Sequence, residues 1–172
     1  MGLDEMPFAQ DCSVPAQLVR AQIIAAQDHI LEAIEGLDAA ALTREVAPSG
    51  WSIANLLGHL AYDDEIFWGA AILGGDEEAI GLVQDGWQVP VTRGADAIAT
   101  YRRWTMRVDD LLADLDLDSA PKWWPGPDVF PFPAFETSRE VVLRLLTETA
   151  THAGHLDLAR EHIDGHQHLV VE

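Results

Sequence analysis

Glu148, His152 and His155 fall at i, i+4 and i+7 within Leu145–Asp164, LLTETATHAGHLDLAREHID. On a helix of about 3.6 residues per turn these side chains share one face. That face continues an apolar stripe through Val141, Leu145 and Ala159, so it is expected to point toward a core. A carboxylate and two imidazoles enter a core at high cost unless something binds them. Neutral imidazole and carboxylate are common ligands of divalent metals, which makes a metal ion the natural occupant. A second segment, GWSIANLLGHLAYDDEIFW, contributes His59, with Asp63 one turn later and Asp64 beside it. An inward-facing His59 meeting Glu148 and His152 would form a His, Glu, His set with open positions for water or substrate. Plainer readings compete with this one. A lone inward histidine is as readily a hydrogen-bonded core residue, and Glu148–His152 alone could be a surface i, i+4 pair. Asp64 could pair with an arginine or support a histidine. Asp157 and Arg160 read as a surface ion pair, and His29, His162, His166 and His168 as surface residues.

Four long helical patterns position these groups. The first spans about 14–35, with Ser13 as N-cap, Pro15 in the first turn and Gly36 as the stop; Asp38–Leu42 adds a short turn. The second spans about 52–73, and its stripe of Ile53, Leu57, Leu60, Phe67 and Ala71 is interrupted by Asp64. An acidic connection, 75–92, follows as a long loop. The third spans about 95–115, with Ala97, Tyr101, Trp104, Val108, Leu111 and Leu115 in register. Five prolines between Asp116 and Glu136 forbid a regular helix there. The same stretch carries Trp123, Trp124, Phe130, Phe132 and Phe135, too apolar for free solvent, and is expected to fold back as a packed cap. The fourth spans 138–164, opened by Thr137-Ser138-Arg139-Glu140, which has the form of a capping box, and closed by Gly165. Amphipathic helices with almost no strand-like alternation predict an all-α helical bundle, an architecture that builds metal sites from inward-facing side chains.

The whole chain narrows the choice of partners. Its 172 residues fit one domain, 1–172. A net charge of −19 argues against nucleic acid and against anionic membrane surfaces, since both require Lys and Arg. The single cysteine, Cys12, excludes an intrachain disulfide and fits a reducing cytoplasm. The first ten residues lack the apolar run of a signal peptide, and no stretch approaches the length of a membrane span.

At GWSIANLLGHL and ETATHAGHLDLAREHIDG the chain resembles the DinB/YfiT-like superfamily, the first phrase matching its W-S-x-x-x-x-x-x-H-L pattern. The resemblance covers essentially the whole chain. It implies a four-helix bundle in up-down-down-up order with a divalent metal on three side chains. In the branch of mycothiol-dependent maleylpyruvate isomerases the helix-four pair is Glu-x-x-x-His, which corresponds here to Glu148 and His152, with His59 as the first ligand. His155 falls where other members carry a glutamine, which leaves it as an extra ligand, a supporting residue or a catalytic acid/base. The resemblance further implies transfer of a low-molecular-weight thiol, such as mycothiol, to a small electrophile in detoxification, and a homodimer. Two His and one carboxylate suit zinc, while nickel, manganese or iron would fit the same set. Two alternatives remain on this scaffold: a metal-dependent hydrolase and a non-enzymatic metal- or ligand-binding stress protein.

Overall fold

A computed structural model describes residues 15–83 and 95–168, and among these every regular element is a helix. Helix α1 is Ala16–Ala33, α2 is Ala39–Thr43 and α3 is Ile53–His59, which continues directly into a π-helical segment, Leu60–Leu73. Helix α4 is Glu77–Val83, α5 is Ala95–Ala113 and α6 is Ser138–Asp164. The expected cap Ser13, the lone Cys12 and half of the 75–92 connection, 84–92, lie outside the described residues. What is described of that connection contains α4 rather than loop alone.

Local signals account for most boundaries. The Ser52 hydroxyl accepts from the Asn55 N–H at 3.3 Å and starts α3. Asp38 does the same for the short α2 through Ala41, at 2.8 Å. The Thr137 N–H donates to Glu140 at 2.9 Å, closing the capping box of α6. Gly165, at φ 77°, ends that helix in the left-handed region.

The long helices form a ring of neighbours. Helix α1 packs on α6, α6 on the π segment, the π segment on α5, and α5 on α1. The π segment is its innermost member: every residue from Leu60 to Leu73 except Asp63 is buried. Such all-round apolarity marks an element enclosed by others rather than one with a solvent face. Each fully buried Leu, Ile or Phe there contributes about 1.5–3 kcal/mol. Gly69 permits the closest approach, since a Cβ there would lie 2.5 Å from Val108 Cγ2 on α5.

The π repeat changes which residues share a face. Its i→i+5 bonding continues past the last turn, where the Gly74 N–H donates to the Gly69 carbonyl at 3.1 Å. With about 4.4 residues per turn, Asp64 lies about 50° around the axis from His59, whereas an α-helix would put it about 140° away. Trp68, on the far side of an α-helix, also comes round to His59.

The proline-rich stretch does fold back as a cap. Its Trp123 N–H donates to the Ile72 carbonyl at 3.2 Å. Trp124, Phe130 and Phe135 gather around Trp68, with ring centroids 5.6–5.9 Å apart. Asp157 and Arg160 do not pair with each other. Asp157 holds His29 Nε2 at 2.9 Å, and Arg160 donates to the Ala33 and Glu35 carbonyls at the end of α1, at 3.0 and 2.8 Å. His29 and His168 are not loose surface residues either, for their rings pack 4.2 Å apart.

Candidate metal centre and pocket

His59 ends α3, where the helix passes into the π segment, and Glu148 and His152 lie one turn apart on α6. One donor atom from each lies within 4.8 Å of the other two. The two imidazoles face each other through Nε2, 3.2 Å apart. Glu148 Oε2 is 3.6 Å from His152 Nε2.

The opposite edges of both rings are held. Asp63 pairs with His59 Nδ1, one turn along the helix. A carboxylate there holds the proton on Nδ1, and in the neutral ring Nε2 then keeps its lone pair toward the centre. His155 Nδ1 lies 3.2 Å from His152 Nδ1. With His152 donating from Nδ1 to His155, its Nε2 also presents a lone pair. Two lone pairs and a carboxylate then surround one point, a donor set that suits a divalent cation, with Asp63 and His155 orienting the rings. The Asp63 hydrogen bond raises the pKa of His59 against the opposing effect of burial. Burial, reinforced by the neighbouring imidazoles, lowers that of His152 and favours its neutral form.

His155 thus stands apart from the triad it shares a face with. It is exposed, its ring lies edge-on to Trp51 at 6.1 Å, and its polar contact is His152. Seven residues along an α-helix is about 10 Å, too far for Glu148 and His155 to reach one ion, whereas the three residues from His152 are one turn.

A cavity of about 940 Å³ opens beside the triad, near the upper end of the range for small-molecule sites. His59, Glu148, Asp63, Asp64 and Arg144 form its polar end, and Phe67, Trp68 and the cap residues Trp124, Phe130 and Phe135 its apolar wall. Sequence periodicity missed Arg144, whose guanidinium reaches Glu148 Oε1 at 3.2 Å while lying 5.1 Å over the Trp68 ring. Its i, i+4 spacing from Glu148 was the available signal. The supporting role of Asp63 was signalled by the same spacing from His59.

Asp64 is 1 % exposed, and its Oδ2 has no hydrogen-bond partner among the described residues. Burial, then the charges of Glu65, Glu148 and Asp63, push its pKa up to about 9, with Arg144 opposing.

A protein-family model described as mycothiol-S-transferase matches residues 18–165. No curated protein matches the chain, and no solved structure does. The match takes in both motif phrases and all three triad residues. The chain belongs to the mycothiol-S-transferase family, within the DinB/YfiT-like superfamily.

Proposed function

From membership of the mycothiol-S-transferase family we infer that this protein is a divalent-metal-dependent S-transferase joining mycothiol, or a similar low-molecular-weight thiol, to a small apolar electrophile. The ion is held by His59, Glu148 and His152, with zinc the best match to two imidazoles and one carboxylate. The domain is a single four-helix bundle, 1–172, in up-down-down-up order, with α1, α3 plus the π segment, α5 and α6 as its long members. The observation that carries the metal reading is the approach of two Nε2 atoms to 3.2 Å with both Nδ1 edges engaged.

A bound divalent cation would lower the pKa of a coordinated thiol and so supply thiolate at neutral pH. The protein's own residues perform the remaining tasks. Asp63 and His155 fix the ring orientations, so that little rearrangement accompanies binding. The aromatic wall removes water from the apolar body of the electrophile and holds it beside the polar end of the cavity. Arg144, bridging Glu148 and the Trp68 face, fixes the carboxylate and closes that end.

The test is conjugation of mycothiol to monochlorobimane by metal-loaded protein. The expected result is a rate well above the thiol-only background that is abolished by chelation and restored by added metal. A rate equal to background with every divalent metal tried would contradict the assignment. Turnover of an ester or amide without thiol would point instead to hydrolysis.

A further inference from the structure

We propose that Asp64 is the acid that protonates the departing oxygen when this site opens an apolar epoxide with its thiol substrate; the proposal rests on the S-transferase reading above. Two observations carry it, one of position and one of bonding. Asp64 lines the cavity on the same π-helical face as His59, Asp63, Phe67 and Trp68. It therefore belongs to the polar end of the cavity, next to the aromatic residues Phe67 and Trp68. Its carboxyl is also buried with an oxygen that no group among the described residues satisfies.

Ionisation would be costly in this setting. Asp63 and Glu65 adjoin Asp64 on its own element, Glu148 faces it from α6 and Tyr101 lies on the α5 side. Arg144, which favours ionisation, is already engaged by Glu148 at 3.2 Å. An unpaired carboxylate buried among like charges is far more expensive than the neutral acid, which carries one O–H. No group among the described residues accepts that O–H, and the residue that carries it lines the cavity. The elevated pKa agrees with this arrangement.

Epoxides are the electrophile class that uses such a group. As the sulfur–carbon bond forms, one carbon–oxygen bond of the ring breaks and the oxygen keeps the electron pair. Asp64 gives its proton to that oxygen, and the product is a β-hydroxy thioether. The proton surrendered by the thiol returns to Asp64 through solvent, so that thiol plus epoxide equals product. An alkyl chloride makes no such demand, because chloride departs without a proton. The aromatic wall favours an epoxide bearing an aryl or other apolar group.

The experiment compares wild type with Asp64→Asn, a near-isostere of the neutral acid, using mycothiol with styrene oxide and with monochlorobimane. The expected result is a loss of about 100-fold or more in kcat/KM for styrene oxide, the scale of general-acid catalysis, and a loss about tenfold or more smaller for chlorobimane. A far-UV circular dichroism spectrum matching wild type reports that the variant is folded. In wild type the epoxide rate should fall at alkaline pH through a limb that Asp64→Asn lacks. Infrared spectra of the metal-free protein should contain a protonated-carboxyl C=O stretch that the variant loses. Equal losses for both substrates, no loss for either, or no such band would overturn the proposal. Wild type that conjugates chlorobimane but not the epoxide would overturn it while leaving the transferase reading intact. Wild type that conjugates neither would overturn the transferase reading and this role together.

Discussion

Asp64 and Glu65 are consecutive, both lie in the π segment, and neither is more than 1 % exposed. Yet they face different worlds. Asp64 borders an open cavity, with one oxygen that no group among the described residues claims. Glu65 turns into a sealed space between α1 and α5, where its Oε1 accepts from Gln27 Nε2 at 2.9 Å. The pKa of Glu65 is pushed up to about 7, chiefly by burial, with the Gln27 hydrogen bond opposing. On that side Gln27, Tyr101 and Thr105 all carry buried oxygens without partners among the described residues, so a protonated Glu65 can donate to one of them. The same chemistry, a buried neutral acid, therefore serves solvent-accessible chemistry on one face and cohesion on the other. A buried carboxyl signals function only when its free atom borders a space that a ligand can enter.

The comparison predicts a clean division between variants that abolish activity and variants that weaken the fold. On the cavity side, His152→Ala should lower mycothiol conjugation more than about 100-fold, beyond what loss of a supporting residue costs, while urea denaturation of the metal-free protein changes little. On the sealed side, Glu65→Ala should cost about 3 kcal/mol in urea denaturation, from a cavity plus an orphaned Gln27. The folded fraction of that variant should keep its turnover.

The pH dependence of stability sharpens the same contrast. The folded-state pKa of Glu65 lies above its unfolded value, so over the interval between them the folded protein holds a proton that the unfolded chain has released. Its stabilisation is complete below the unfolded value and disappears as pH rises through about 7. Metal-free wild type should thus lose stability across this interval relative to Glu65→Gln, by about 1.4 kcal/mol per pH unit in the steepest part, measured by urea denaturation in a pH series. An identical slope in the variant would show that Glu65 does not carry the proton.

Two smaller effects complete the series. Gly69→Ala, placing a methyl against Val108, should cost about 2 kcal/mol by overpacking. The thermal melt would record this, with conjugation unchanged in the folded protein. His155→Ala should weaken metal affinity about tenfold, through looser orientation of His152, as read by competition with a chromogenic chelator. A loss as large as that of His152→Ala would make His155 a ligand.

The parts of this architecture legible in the sequence were those set by neighbours in the chain. The limits of α6, Ser138 to Asp164, follow from a capping box at Thr137–Glu140 and a left-handed glycine at Gly165. The i, i+4 step between Glu148 and His152 likewise needs only helix geometry. The π segment was not legible, because an amphipathic pattern is counted against a period of 3.6 and a wider repeat appears as a defect. At that period Trp68 falls opposite His59, and only the wider repeat brings the two to one side. The cavity wall was foreseen only as a cap of aromatic residues. Which rings meet Trp68 depends on a tertiary tie, the Trp123 N–H to the Ile72 carbonyl, that no local spacing encodes. His155 was placed on the correct face, but its distance along the axis rather than its angle decides its role.

The central claim is that His59, Glu148 and His152 hold one divalent ion. Calorimetric titration of zinc into metal-free protein lacking an affinity tag tests it most directly, alongside Glu148→Ala and His152→Ala. The account predicts one tight site per chain in wild type and loss of that site in both variants. Wild type that binds no zinc, or variants that bind as tightly as wild type, would contradict it.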